Sequence, residues 1–598
     1  MSIVSLEKVT FYGHVDDRQQ VLADLQAKGC LHLIDLAPEE DTLSPAGPSS
    51  RAREAMQFLY SCPNRRRQVT RTDQFDAAAI EAQALKIKDR FQELEHERDF
   101  LLGRIANLSP WGAFDFPRPE ELNNLRLWFY VVPHKDMRKV RETELIWQTV
   151  FADNRFSYVV VISEAQPEGM PVERARTGNR TLLQLEGRLE EVEVALEDLF
   201  AERAGLTRWG ELFVRNIERL EDQAAVVDAV EKTYAEDAVF ALQAWSPKRN
   251  VPELEAYAQD RKLVFENSPP HPRETPPTLM ENPSGVAFGQ DLVSFYTTPQ
   301  YWLWDPSVIV FFSFAVFFAM IFADAGYSAI MGLLTGLFWK KMGRSKTGCR
   351  FRILLATMVG TGIIYGVMVG SYFGVSPGQG TLPAGFKIID MMNFDLMMRI
   401  SILLGVLHLV VANGVTAWHF RKSLKALKPL SWAIVFSGGA LFWQGISHEG
   451  SLGFLKIPGA MGFGLGLSGV LLFTSTEGSL FKRLLKGLSG LTGISSAFSD
   501  ALSYLRLFAL GLASASLAGT FNAMAGQVKE ALPGIGILFA LLIALLGHTL
   551  NFVLAVAGGF IHGLRLNFIE FFRWSITEEG RPFRAFARKE KKSWKILF

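Results

Sequence analysis

From Trp304 onward the chain is a succession of long apolar runs separated by basic loops, and this pattern constrains its folding more than any other feature. A helix that crosses a hydrocarbon core of roughly 30 Å needs about 20 mostly apolar residues. Eight such spans are read: two within Asp305–Trp339, and the rest near 352–374, 396–418, 430–447, 457–476, 496–526 and 533–572. The stretch Phe322-Ala323-Asp324-Ala325-Gly326-Tyr327 divides the first run, with Asp324 capping the turn. Lys340, Lys341, Arg344, Lys346, Arg350 and Arg352 follow span two, and His419, Arg421, Lys422, Lys425 and Lys428 follow span four. Lys482, Arg483 and Lys486 follow span six, and Arg581, Arg584, Arg588, Lys589, Lys591, Lys592 and Lys595 follow span eight. The intervening loops hold at most one lysine each. The positive-inside rule then places both termini in the cytosol. The last apolar run, Ile535 to Phe572, has 38 residues and would measure about 57 Å as a straight helix. It is expected to kink at Gly558-Gly559 or to lie steeply aslant.

Before residue 290 the chain is a different material, dense in Glu, Arg, Asp and Lys. The overall 49% hydrophobic and 21% charged content averages over these two halves, and it excludes a disordered chain and a wholly soluble enzyme. A net charge of +1, from 62 basic and 61 acidic residues, gives no nucleic-acid footprint. Cys30, Cys62 and Cys349 are too few and too scattered for a disulfide framework or a metal cluster. Met1-Ser2-Ile3-Val4-Ser5-Leu6-Glu7 lacks a signal-peptide pattern, so the first half is expected in the cytosol.

Heptad spacing runs through Ile80, Ala84, Ile87, Phe91, Leu94, Arg98, Leu101, Ile105 and Leu108. It recurs through Leu182, Leu185, Leu189, Val192, Leu196, Leu199, Arg203, Leu206, Gly210, Phe213, Ile217 and Leu220. Two helices, about 76–108 and 180–222, are therefore expected to pair as a long antiparallel coiled coil, with Arg98 and Arg203 as polar register marks. Strand-like runs at 125–132 and 156–162 sit between them, and a second β/α patch joins 1–70 to about 226–268. The fold class expected is mixed. Cytosolic α/β lobes and a helical arm (1–290) lead through a Pro-rich linker, about 268–285, to an all-α membrane domain of eight helices (300–598) ending in two long tilted ones. No Walker-type loop occurs, so the chain is not expected to hydrolyse nucleotide alone.

Ionisable residues inside spans are functional candidates, because burying them in lipid is costly. Arg506 and Arg565 stand out, since arginine stays charged at any accessible pH. Beside Arg506 the face Ala509, Ala513, Ser516, Thr520 and Ala523 is small throughout, which allows another helix to approach closely. In the last span His548, Asn551, Ala555, Gly558, His562 and Arg565 recur by three and four, extended by Asn567 and Glu570, and read as a hydrated path or a sliding surface. His408 reads as a packing histidine and Glu477 as an interfacial carboxylate.

The run Ser499-Asp500-Ala501-Leu502-Ser503-Tyr504-Leu505-Arg506-Leu507-Phe508-Ala509-Leu510-Gly511-Leu512-Ala513 resembles the seventh span of the rotary V/A-type ATPase membrane subunit, called subunit a or subunit I. His562-Gly563-Leu564-Arg565-Leu566-Asn567-Phe568-Ile569-Glu570-Phe571-Phe572 is similar to its eighth. Asp305-Pro306, Phe322 to Tyr327, Ile364 to Gly374 and Gly580-Arg581-Pro582-Phe583-Arg584-Ala585-Phe586 also match. The resemblance implies a stator against which a proteolipid ring (subunit c or K) turns, with ion half-channels to opposite sides of the bilayer. It implies that Arg506 is the essential arginine and Arg565 its partner, with Ala509, Ala513, Ser516 and Thr520 facing the ring. Half-channel candidates are Asp500, Ser503, Tyr504, His548, Asn551, His562, Glu570 and Glu477. Implied partners are peripheral-stalk subunits of the E and G/H type and a central-stalk connector of the d or C type; no cofactor or metal is implied. Asp500 and Ala555 stand where eukaryotic vacuolar members carry histidine and glutamate, so the chain reads as a multi-pass protein of a prokaryotic plasma membrane. The alternatives are a secondary transporter or channel with a cytosolic regulatory domain, and a structural membrane anchor. The ring carboxylate lies on another chain, so proton and sodium transport both stay open.

Overall fold

The computed structural model describes residues 2–36, 50–71, 73–114, 125–178, 180–378, 380–447, 450, 452–475, 480–576 and 578–589. Two compact units emerge: one comprises 1–39 and 230–587, the other 40–229 and 588–598.

The first unit opens with an antiparallel sheet ordered His32–Ile34, Val239–Pro247, Leu6–His14, Val264–Ser268, with Tyr234–Glu236 also paired to Val239–Pro247. Alternation in Val239–Pro247 buries Phe240, Leu242 and Ala244, as a sheet with one covered face requires. The helices Arg18–Lys28 and Val251–Asp260 bury Leu22, Leu25, Leu254 and Ala258. They are joined by the Tyr257 hydroxyl, which donates to Asp24 at 3.1 Å. The Pro-rich stretch is strapped down, with Thr278 Oγ1 donating to the Pro299 carbonyl at 2.7 Å. The tail after residue 578 returns to the sheet lobe, where the Phe586 N–H reaches the Leu31 carbonyl at 2.6 Å.

The apolar half of this unit folds into helices at Ser307–Phe322, Ala325–Met342, Lys346–Val369, Phe394–His419, Leu427–Ser447, Lys456–Phe473, Leu505–Ala531 and Gly536–Arg565. Five stretches among the described residues are long and apolar enough to cross a membrane: Lys346–Val369, Phe394–His419, Gly453–Phe473, Phe481–Ala531 and Gly536–Ser575. Ser307–Phe322 is apolar but shorter. Ala323 breaks the first run in a left-handed conformation (φ 47°), and Asp324 caps the next helix by accepting from the Tyr327 N–H at 2.9 Å. The final helix passes Gly558-Gly559 without a break. Gly559 instead serves close packing, since a Cβ there would lie 2.6 Å from the Phe318 ring. The irregularity comes later, as a π-turn over Leu566–Phe571.

The second unit holds a three-stranded antiparallel sheet ordered Arg126–Pro133, Phe156–Ser163, Ile146–Ala152; the edge strand Ile146–Ala152 escaped the sequence reading. Its helices Ala77–Leu108 and Leu182–Leu206 pack together through Leu94, Leu101 and Leu108 against Leu185, Val192 and Leu196. The second helix stops short of 222. At Thr207–Trp209 the Thr207 carbonyl accepts from the Gln68 amide at 2.9 Å, and a new helix, Gly210–Glu231, starts with its Glu211 N–H on Gln68 Oε1. Neither seam arginine marks register between the paired helices. Arg203 turns to the Ser50–Tyr60 helix, donating to the Phe58 carbonyl at 2.6 Å and to Ser61 Oγ at 2.8 Å. Arg98 pairs with its neighbour Asp99. A long side chain on a helix flank reaches whichever acceptor lies beside it, and heptad position alone does not choose one.

Candidate functional site

The apolar run expected as one span from 496 is interrupted. A helix over Gly493–Leu502 ends, Ser503-Tyr504 form a break, and the arginine helix, Leu505–Ala531, begins. Arg506 thus sits in a first turn, where its Nε donates to the Ser503 carbonyl at 2.9 Å. Its Nη2 donates to Glu570 Oε1 at 2.5 Å. Glu570 belongs to the π-turn that ends the return helix, Gly536–Arg565; this turn buries Leu566, Asn567, Phe568, Glu570 and Phe571. A π-turn inserts an extra residue into the helical repeat and re-aims the side chains beyond it, and such turns recur at functional sites. The Glu570 side chain is 3% exposed and that of Arg506 23%. Charge is therefore balanced, but hydrogen bonding is not. Among the described residues, Arg506 Nη1, Glu570 Oε2 and His562 Nδ1 are buried with no hydrogen-bond partner.

Two further groups border this pair. Asp500, buried, accepts from Trp574 Nε1 at 2.8 Å and from Arg573 Nη1 at 3.3 Å. Tyr504 is wholly buried and shares a 2.8 Å hydrogen bond with His408 Nδ1. Its ring fits against Gly405, where a Cβ would clash with it. His408 stacks on Phe571, with centroids 4.3 Å apart, so it is a packed histidine that also ties Tyr504 to the Phe394–His419 helix.

A second polar cluster lies farther along the same two helices. Asn551 Nδ2 donates to the Tyr327 hydroxyl at 3.1 Å and to the Ser514 carbonyl at 2.9 Å. The Tyr327 hydroxyl meets His548 Nδ1 at 2.7 Å, and His548 Nε2 meets Asn522 Oδ1 at 3.0 Å. Asn522 Nδ2 in turn donates to the Phe373 carbonyl at 2.8 Å. Arg506 and Asn522 are 16 residues apart on one helix, a rise of about 24 Å. The nominated polar residues therefore fall into two groups near different depths.

The stripe His548, Asn551, Ala555, Gly558, His562, Arg565 spans one broad sector of about 100°, with His548 and Arg565 at its two edges. Seventeen residues at about 100° each rotate Arg565 roughly 100° away from His548. Asn551 and Ala555 are buried, whereas Arg565 is exposed and pairs with no carboxylate among the described residues. The carboxylate partner of Arg506 in this chain is Glu570. Ser503 takes part through its carbonyl. Ala509, Ala513, Ser516 and Thr520 are all exposed, an uncovered small-residue face on the arginine helix. Glu477 lies outside the described residues. Sequence reasoning did not assign Tyr327, Ser514 and Asn522 to this site; the only signal was their polarity within apolar helices.

No family model matches the chain. It is 27% identical over 584 residues to the V-type ATP synthase subunit I of Chlamydia pneumoniae, covering 84% of this chain and 85% of the relative. It is 24% identical over 626 residues to V-type ATP synthase subunit I 1 of Treponema pallidum, covering 95% and 97%. It is 26% identical over 453 residues to the A-type ATP synthase subunit I of Methanocaldococcus jannaschii, covering 69% and 64%. Among solved structures, the cytoplasmic N-terminal domain of a subunit I, described as a homolog of V-ATPase subunit a, aligns with 44% of this chain and 100% of that one. The identity there is 18% and the TM-score 0.23.

Proposed function

We propose, for a chain whose curated homologues are V-type and A-type ATP synthase subunit I, that it is the stator against which a proteolipid ring rotates. In this reading the chain crosses a prokaryotic plasma membrane eight times with both termini cytosolic. The Ala77–Leu108 and Leu182–Leu206 helices form a coiled-coil arm that docks the peripheral stalk. A central-stalk connector meets the same cytosolic region, and the catalytic head lies on other chains.

The observation that carries the reading is the site around Arg506. An arginine in an apolar helix has one carboxylate partner from its own chain, one spare buried donor at Nη1, and a small-residue face beside it open to a neighbour. An unmade buried hydrogen bond costs about 1–3 kcal/mol, so a carboxylate arriving from another chain is favoured there. The cation stabilises the ionised form of that carboxylate and so makes it release its ion. Asp500, Tyr504, His562 and Glu570 belong to the half-channel that opens at this end. His548 and Asn551, with Tyr327 and Asn522, belong to the half-channel of the other side. Arg565, exposed on the return helix, is a second cation for the ring carboxylate. Transmembrane potential supplies about 2.3 kcal/mol per charge per 100 mV to such a passage.

Replacing Arg506 with alanine in the assembled complex tests this, by following ATP-driven ion uptake into vesicles. Loss of uptake with the ring and stalk still co-purifying is expected. Uptake at the normal rate would sink the reading.

A further inference from the structure

Between the Lys456–Phe473 helix and the break before Arg506, the sequence suggested only a basic loop. The structure forms a helix there, Leu480–Leu491, with the sequence LFKRLLKGLSGL. At about 100° per residue, Phe481, Leu484, Leu485 and Leu488 fall within one 100° sector. Lys482, Arg483 and Lys486 fall within the opposite one. Phe481 is 74% exposed, Leu485 64% and Leu488 62%. Lys482 and Lys486 are exposed and make no ion pair among the described residues.

The helix is held along its side, and its apolar face is left free. Gly487 packs on the Leu471 backbone and Gly490 on Thr474, at the last turn of the Lys456–Phe473 helix, so close that a Cβ at Gly490 would clash with Thr474 Oγ1. Those two glycines, with Arg483 between them, lie on the flank that separates the leucines from Lys482 and Lys486. The attachment fixes the helix beside the end of an apolar membrane-type helix, with leucines on one side and lysines on the other. A short helix with a strong apolar face and a lysine- and arginine-bearing opposite face suits the boundary between acyl chains and headgroups.

We propose that Leu480–Leu491 is an interfacial helix that binds the anionic surface of the bilayer. Phe481, Leu484, Leu485 and Leu488 enter the acyl boundary. Lys482 and Lys486 hold negatively charged phosphate headgroups, as charge complementarity requires. This contact is independent of the rotor reading and would stand if that reading failed.

The full-length chain tests it, carrying Cys349→Ser and Phe481→Cys so that one accessible thiol takes a fluorescent label. Buried Cys30 and Cys62 stay in place. The labelled protein is reconstituted in brominated phosphatidylcholine alone or in an equal mixture with equally brominated phosphatidylglycerol. Quenching at least twofold stronger in the mixture is expected, falling to the neutral-lipid level in high salt or with Lys482→Glu and Lys486→Glu together. Two results would overturn the proposal. One is absence of quenching in both lipids, which would mean another protein surface covers the apolar face. The other is equal quenching in both lipids that ignores the charge reversal.

Discussion

The two polar clusters of the apolar half use the same pair of helices and solve burial in opposite ways. Around Tyr327, His548, Asn551 and Asn522, hydrogen bonds run from side chain to side chain and end on the Phe373 and Ser514 carbonyls. That cluster contains no carboxylate, and none of its named polar side-chain atoms is left buried without a partner. Around Arg506 and Glu570 an ion pair is buried, and each partner keeps one nitrogen or oxygen unused. A neutral, saturated network fixes geometry. A charged, unsaturated one has binding capacity to spare. In the proposed function the Arg506 cluster is where another chain's charged group would act, and the Tyr327 cluster is a rigid polar lining.

The strongest way to break that contrast is at Glu570. Glu570→Ala leaves the Arg506 charge buried without its counter-ion, and breaking such a pair costs about 3–5 kcal/mol. A visible fall in the thermal stability of the detergent-solubilised chain is expected. Glu570→Gln keeps the shape and an acceptor while removing the charge. It should retain the fold yet lower ATP-driven ion uptake at least tenfold, about 1.4 kcal/mol in barrier. Normal uptake by Glu570→Gln would mean that the pair is only structural.

The sequence made Arg506 and Glu570 visible separately, because each is costly in an apolar helix. It could not join them. Sixty-four positions separate the two, and helical spacing reports faces within one helix, not which faces meet. The π-turn over Leu566–Phe571 has no compositional signature in Leu-Asn-Phe-Ile-Glu-Phe, so the side chains it buries could not be anticipated. The sequence stripe through His548 and Arg565 keeps to one broad sector, but spacing alone could not say which of its members a neighbouring helix buries and which it leaves exposed. The small face at Ala509, Ala513, Ser516 and Thr520 was readable because it runs on one helix and asks only for exposure. The strand-like runs 125–132 and 156–162 anticipated the strands Arg126–Pro133 and Phe156–Ser163, but not the largely exposed edge strand Ile146–Ala152, which lacks a buried face to leave a pattern.

Asn551→Leu attacks the saturated cluster. It fills similar space but removes the amide that donates to the Ser514 carbonyl and the Tyr327 hydroxyl oxygen and that accepts from the Ser514 hydroxyl. Hydrogen bonds between helices in lipid are worth about 1–2 kcal/mol at most. A lower melting temperature with uptake reduced only severalfold is expected, in contrast to Arg506→Ala. If Asn551→Leu abolished uptake without loss of stability, this cluster would be more than a rigid lining and the contrast would fail.

The smallest effect concerns pH, and it must be separated from any acid effect on the ion pair. In the sheet lobe, His32 Nδ1 accepts from the Arg584 N–H at 2.9 Å, and its ring lies 5.5 Å from that of Phe583, so it helps to hold the returning tail. Burial, with Lys232, Arg584 and Arg581 nearby, keeps this imidazole below its ordinary value of 6.5. The folded state therefore favours the neutral ring. Its contribution is fully present above about pH 6.5 and fades as pH falls, because the released state takes up the proton first. Protonation also removes the acceptor that Arg584 uses. Tryptic cleavage at Arg584 should thus speed up between neutral and mildly acidic pH, by a fewfold since a single half-buried group is involved. His32→Phe, which keeps a ring beside Phe583, should make cleavage uniformly faster and remove its pH dependence. If acid slowed uptake equally in wild type and His32→Phe, that effect would belong to the membrane groups; if the variant abolished it, the tail would be its source.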